Sequence, residues 1–299
     1  MKIYGRLRRS LAWALALEPE TLRKLIAGPS DCIVLDLEDG VLFSQKQQAR
    51  KATLKVLTEW DFRKKERIVR VNPVGSEFFF DNMDQGVAKG LPDAIRLPKC
   101  ECVKDVLMVD EWLSRIEQAH RLPLNTIELL PMIETPLGVR NAYEIASCCA
   151  RVTALSLGME DMCLEYGVKR RYKNNELDML YLRQKLVLDS KAAGVQTLDS
   201  ALLNIGDLNA TKQEACESRQ AGFTGRSVQD NEQAALVNEI FSPDTNEIQE
   251  AKDIVTAYEL ADKKEETGHI VCHGKLVCYA AYSHARDVLR YAEQILSRA

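Results

Sequence analysis

The stretch LLPMIETPLG (129–138) is apolar almost throughout and then presents one carboxylate, Glu134, just before a Pro and a Gly. Half-solvated antiparallel strands alternate polar and apolar residues, whereas strands covered on both faces of a parallel sheet read as continuous apolar runs. This run is of the second kind. A second stretch, LSLGMEDMC (155–163), again carries acids to the end of a strand-like segment.

Working outward from these two, eight such runs are found: RSLAWAL (9–15), CIVLDLE (32–38), RIVRVNP (67–73), DAIRLPK (93–99), IELLPMIE (127–134), TALSLGME (153–160), VQTLDSALL (195–203) and FTGRSV (223–228). Helical segments separate them at 44–58, 103–120, 136–148, 176–193 and 209–221, each able to return the chain to a parallel neighbour. Eight β/α units in about 230 residues predict a closed (β/α)8 barrel. An open doubly wound sheet more often has fewer strands and a Gly-rich first turn. The chain has no GxGxxG or Walker sequence, so neither a dinucleotide site nor a P-loop is expected.

Residues 1–240 therefore form the predicted α/β barrel, and the rhythm changes after them. SPDTNEIQEAKDIVTAYELADKK (242–264) reads as a long helix with Ser242 as N-cap and Pro243 in its first position. GHIVCHGKLVCYA (268–280) reads as a hairpin turning at His273-Gly274, and 281–298 as a last amphipathic helix. This helix–hairpin–helix extension (241–299) is expected to pack on the barrel or at a subunit interface.

The bulk composition restricts partners. Of 299 residues, 46% are hydrophobic and 28% charged, and 40 basic against 44 acidic residues leave a net charge of −4, mixed along the chain. Such a balance offers no field for nucleic acid or an anionic membrane. The N-terminal apolar run is too short for a secretory signal and ends at Glu18, so a soluble, cytoplasmic protein is expected. Nine cysteines without a CxxC pair or zinc spacing read as reduced thiols.

A barrel of this kind carries its chemistry at the C-terminal ends of the strands. The polar residues there are Asp36, Glu38 and Asp39 on the second run, Arg70 and Asn72 on the third, Lys99 on the fourth, Glu134 on the fifth, and Glu160 and Asp161 on the sixth. Neighbouring strands lie ~4.8 Å apart, so acids closing the fifth and sixth can reach one ion. Two or more carboxylates without His or thiolate point to a hard cation, Mg²⁺ or Mn²⁺, held by Glu134 with Glu160 or Asp161. Any one of these acids could instead cap the helix that follows it. A cation beside Arg70 suits a small carboxylic acid and the stabilisation of an enolate as a carbon–carbon bond breaks or forms.

Other motifs carry less. The four histidines lie at a helix end (His120) or in the extension, KRRYK (169–173) reads as a solvated loop, and FFF (78–80) reads as core packing with an acyl pocket as the alternative.

Taken in order, RRSL (8–11), VLDLEDGV (34–41), QKQQAR (45–50), VRVNP (69–73), RLPK (96–99), MIETPLGVRNAYEIA (132–146), LSLGMEDM (155–162), YLRQKLVLDSKAAG (181–194) and HGKLV (273–277) resemble the citrate lyase β-subunit-like branch of the HpcH/HpaI aldolase family. The resemblance implies a TIM barrel assembled as a homo-oligomer, a trimer or hexamer. It also implies Mg²⁺-dependent cleavage or formation of a citryl-, malyl- or citramalyl-type compound, carried as a CoA or acyl-carrier thioester or as the free acid. By position it implies Glu134 and Asp161 as metal ligands and Arg70 as the group for the substrate carboxylate, supported by Glu38 and Asp39. Arg9 and Lys99 are the further candidates for substrate binding.

The chain also departs from the family. Leu15-Ala16-Leu17-Glu18-Pro19 stands where a Pro-Gly turn and Asn-Arg-Pro are expected, Gln229-Asp230-Asn231 replaces Ile-His-Pro, and Asn204 replaces an Asp. In the hairpin, GKLVC (274–278) puts Cys278 where the acyl-CoA lyases place an Asp that acts as acid/base in a neighbouring subunit's site. An unperturbed thiol, with pKa ~8.5, is a poor proton shuttle. Two readings follow: a working lyase with altered substrate, using Asp230 or a metal-bound water as base, or a catalytically impaired relative that binds metal and a keto acid as an assembly or regulatory subunit.

Overall fold

The computed structural model describes residues 5–170, 179–203, 206–263 and 269–298. Eight strands close into one barrel in sequence order: β1 (Ser10–Ala14), β2 (Cys32–Asp36), β3 (Glu66–Arg70), β4 (Ala94–Leu97), β5 (Glu128–Ile133), β6 (Ala154–Leu157), β7 (Gln196–Asp199) and β8 (Gly225–Val228). Every neighbouring pair is parallel, and β8 returns to β1 with Leu11 opposite Ser227. This is the (β/α)8 TIM barrel the apolar runs predict.

Helices join the strands: α1 (Pro19–Ala27), α2 (Lys46–Glu59), α3 (Phe79–Asp81) and α4 (Ala88–Gly90) either side of a π-helical turn, α5 (Val103–Ala119), α6 (Pro136–Arg140), α7 (Ala142–Ser147), α8 (Met159–Glu165), α9 (Leu180–Ala193), α10 (Leu208–Ala221) and α11 (Asn231–Ile240). The sixth run is shorter than expected. β6 stops at Leu157, and Glu160 and Asp161 open α8, where carboxylates favour the positive end of the helix dipole. The helix expected over 136–148 divides at Asn141.

Period-two alternation sorts each strand into inward and outward residues. The inward set stacks in three levels. At the N-terminal end, buried Arg8 donates to Glu66 (2.7 and 2.6 Å), to Thr153 (2.9 Å) and to Gln196 (3.1 Å), and also pairs with Glu128. Above this plug lies a dry level of Leu11, Cys32, Val34, Ile68, Ala94, Leu130, Ala154 and Leu198, with Trp13 against it. Each fully buried aliphatic side chain there is worth roughly 1.5–3 kcal/mol. The third level, at the C-terminal ends, is polar. Of the FFF segment, Phe79 is core, Phe78 meets Phe43 edge-on, and half-exposed Phe80 lies against Trp112.

The barrel forms one compact unit, Arg8–Asn238; a second unit comprises the residues up to Leu7 and those from Glu239 on. Within the second, α12 (Thr245–Lys263) and α13 (Tyr279–Leu296) bring Tyr258 and Tyr282 into a stack 4.5 Å apart. β9 (Ile270–Cys272) and β10 (Lys275–Val277) pair antiparallel through His273 (φ 48°) and Gly274 (φ 73°), two left-handed residues that suit a tight hairpin turn. The cap of α12 is Asp244 and not Ser242: the Asp244 carboxylate accepts the Glu247 N–H (2.8 Å) and Glu247 accepts the Asp244 N–H (2.8 Å), a reciprocal box. All nine cysteines are free thiols, and among the described residues no helix is long and apolar enough to cross a membrane.

Candidate active site

A cavity of about 620 Å³ opens at the C-terminal end of the barrel, walled by residues from or just beyond all eight strands, among them Trp13, Asp36, Arg70, Arg96, Glu134 and Asp161. Its centre is Glu134, the carboxylate that ends the run of β5. Oε1 accepts the Lys99 backbone N–H (2.6 Å), presented from a left-handed residue (φ 50°). Oε2 is buried and accepts no hydrogen bond among the described residues. Gly158 makes room for it, since a Cβ there would lie 2.2 Å from Oε2.

Burial, then the charges of Asp161 and Glu38, push the Glu134 carboxyl up to about 7, although the Lys99 N–H and Arg70 work the other way. Asp161 is therefore close enough to act on Glu134 electrostatically, and both face one cavity. Lys99 binds the second acid group: its ammonium lies 3.3 Å from Glu38, 3.5 Å from Asp39 and 3.9 Å from Asp161. Glu160 also lines the cavity, but its carboxylate is held by Arg170 at 3.0 Å. That arginine, expected in a solvated loop, is buried; residues 171–173 of the same motif lie outside the described residues, as does Asn204.

Arg70 comes into the site already neutralised. Its Nε and one terminal nitrogen form a fork on Asp36 (2.7 and 2.6 Å), and the other terminal nitrogen meets Glu38 at 2.7 Å. Burial opposes its charge, yet Asp36 and Glu38 hold the guanidinium above its ordinary value. Asp36 is fixed in turn by the N–H groups of Glu38 (2.9 Å) and Gly40 (3.0 Å). Lys46 braces the turn after β2 by donating to the carbonyls of Leu37 and Glu38 and to Asn72.

Two of the candidates lie apart from the cavity lining. Arg9 precedes β1, at the N-terminal end of the barrel, where its guanidinium grips Asp31 at 2.8 and 3.0 Å; it is not part of the cavity. Asp230 follows β8 at the correct end, but its carboxylate accepts the Gln233 N–H (2.8 Å) and caps α11, while its neighbour Gln229 lines the cavity. A helix cap satisfies that carboxylate locally, which turns it away from the role of free base. Cys278 is exposed at the start of α13, where the Ala281 and Ala280 N–H groups hold its thiol below the usual range.

Sequence reasoning missed Arg96 and Trp13. Both guanidinium groups, Arg70 and Arg96, lie over the Trp13 ring at 4.3 and 4.8 Å. The signal was available: an arginine inside the apolar run of a strand with both faces covered must point either into the barrel or at a buried partner.

Among the described residues no group of three or more His, Cys, Asp or Glu side chains is arranged to hold a metal ion. Two carboxylates are enough for Mg²⁺, which keeps several waters and is bound through one or two acids. The bare, buried Oε2 of Glu134 and the oxygen-only donors fit such an ion, because a desolvated carboxylate oxygen without a donor is costly unless a cation meets it.

Comparison with known proteins agrees with this arrangement. Residues 9–231 match the model of the HpcH/HpaI aldolase/citrate lyase family. The chain is 32% identical over 288 residues to the citrate lyase subunit beta of Escherichia coli K12, covering 96% of this chain and 94% of that protein. It is 30% identical to the L-malyl-CoA/beta-methylmalyl-CoA lyase of Cereibacter sphaeroides, over 93% and 92% of the two chains. Among solved structures, CitE of Mycobacterium tuberculosis in complex with magnesium, acetoacetate and coenzyme A superposes with a TM-score of 0.77 at 25% identity, covering 96% of this chain and 98% of that one. A match across the whole barrel, with relatives alike over nearly their full length, establishes that this chain belongs to the HpcH/HpaI aldolase/citrate lyase family.

Proposed function

We propose that this carbon–carbon lyase cleaves or forms a short hydroxy acid, free or as a thioester, with Mg²⁺ held by Glu134 and Asp161. The observation that carries the reading is the buried Oε2 of Glu134, which accepts no hydrogen bond among the described residues, beside Asp161 in one cavity. The relatives are named as lyases, and the CitE structure was determined with magnesium, acetoacetate and coenzyme A. When bound, such a cation supplies Lewis-acid stabilisation of the oxyanion that develops as the bond breaks.

The chain's own residues do the rest. The Lys99 N–H fixes one oxygen of Glu134 and leaves the other to the cavity. Asp36 and Glu38 lock the Arg70 guanidinium in one plane, so that its outer edge meets a carboxylate without first losing rotamer freedom. Met132, Leu157 and Met159 form an apolar wall that lowers the local dielectric around these charges.

Calorimetric titration with Mg²⁺ tests the metal assignment. Glu134→Gln and Asp161→Asn should each weaken binding by at least about a hundredfold, and unchanged affinity in either variant removes that residue. A panel of citramalate, malate, their CoA esters and 4-hydroxy-2-oxo acids, assayed for release of pyruvate or oxaloacetate with and without Mg²⁺, tests the chemistry. Silence across the panel with metal binding intact would favour the impaired-relative reading that Cys278 suggests.

A further inference from the structure

We propose that Arg96 is a specificity-determining residue of this site, the anchor for a second carboxylate of the substrate. The inference rests on the proposed function and deepens it. Two arginines line the cavity, and their circumstances are opposite. Each of the three nitrogens of Arg70 already meets a carboxylate of Asp36 or Glu38, so its charge is balanced before any substrate arrives. Arg96, 1% exposed, has no carboxylate within ion-pair distance among the described residues. Among the described residues its terminal nitrogens reach the hydroxyls of Ser227 (3.1 Å) and Ser156, and its buried Nε has no hydrogen-bond partner.

A guanidinium offers five N–H donors, and a buried cation without a counter-charge is expensive. Burial, with Arg70 nearby, pushes this group down to about 9, although the more distant charges of Glu134 and Asp36 work the other way, so it is still cationic at neutral pH. Its other contact, the face of Trp13, supports a cation without neutralising it. The environment is thus built to accept an anion from outside. The two serine hydroxyls, which now accept from Arg96, can rotate and donate to a carboxylate held in its fork. Arg96 lies at the centre of β4 and its hydroxyl partners on β6 and β8, so the anchor spans the barrel interior. An acid whose first carboxylate lies at Arg70 and the metal would extend its second toward this point.

Calorimetry on the whole chain in saturating Mg²⁺, with malate and lactate as probes, separates the two ends of the ligand, because both carry the same 2-hydroxy-carboxylate head and only malate has the distal carboxylate. The wild type should bind malate at least about tenfold more tightly than lactate. Arg96→Met should abolish that preference by weakening malate alone, and Arg96→Lys should restore part of it. If Arg96→Met melts early, the Lys variant and its partial preference carry the test. Retained preference for malate in the variants, equal loss of both acids, or a wild type that takes Mg²⁺ but does not distinguish the acids overturns the assignment and leaves the metal reading standing. Failure of the wild type to bind Mg²⁺ overturns both.

Discussion

Glu134 shows how a single side chain is set by its surroundings. Its carboxyl is pushed from its ordinary value of 4.5 up to about 7, first by burial and then by Asp161 and Glu38. The folded, metal-free chain therefore binds a proton that the unfolded chain has released between these values. The contribution of this group to stability is greatest below pH 4.5 and is lost as the pH rises toward 7. A metal ion requires the ionised form, so protons compete with it. The apparent affinity for Mg²⁺ should accordingly rise about tenfold from pH 6 to pH 8, with most of the gain complete by pH 7. Calorimetric titrations at three pH values check this, and an affinity independent of pH would show that Glu134 is not the group being displaced. The acid itself was evident in the sequence, because it ends an apolar run. Its unsatisfied oxygen was not, since that depends on Gly158 and Lys99 from two other segments.

At the level of elements, the ends of strands and the starts of helices compete for the same carboxylates. Glu160 and Asp161 belong to the first turn of α8 and still face the cavity. Asp230, in contrast, is committed to α11. Asn caps a helix as well as Asp does, so Asp230→Asn should leave both turnover and thermal melting near wild type. Asp230→Ala should cost ~0.5–2 kcal/mol of stability with little effect on turnover. A hundredfold drop in turnover for the Asn variant at unchanged melting temperature would return Asp230 to the role of base. The sequence placed this acid at the correct end of its strand, but whether an acid caps or stays free is decided by backbone dihedrals over the next three residues.

For the molecule as a whole, the barrel is closed at its N-terminal end by charge and at its C-terminal end by the site. Arg8 is fully enclosed by Glu66, Glu128, Thr153 and Gln196, contributed by four strands or their margins. Arg8→Ala would leave buried acids uncompensated and should cost ~3–5 kcal/mol, read as a shift in denaturant midpoint, while Mg²⁺ affinity of the folded fraction stays unchanged. A stability within ~1 kcal/mol of wild type would mean the plug is not a structural keystone. Eight apolar runs with helical spacers were enough to specify the closed barrel, its strand order and the end at which the acids gather, because strand burial and connection length are local properties of the chain. Which arginine is neutralised and which is left with an open fork, and that Arg9 faces Asp31 at the far end, was settled only when strands distant in sequence were brought into register. Polar pairing is a matter of a few ångströms between residues far apart in sequence, 131 positions for Arg96 and Ser227, and spacing along the chain carries no information about it.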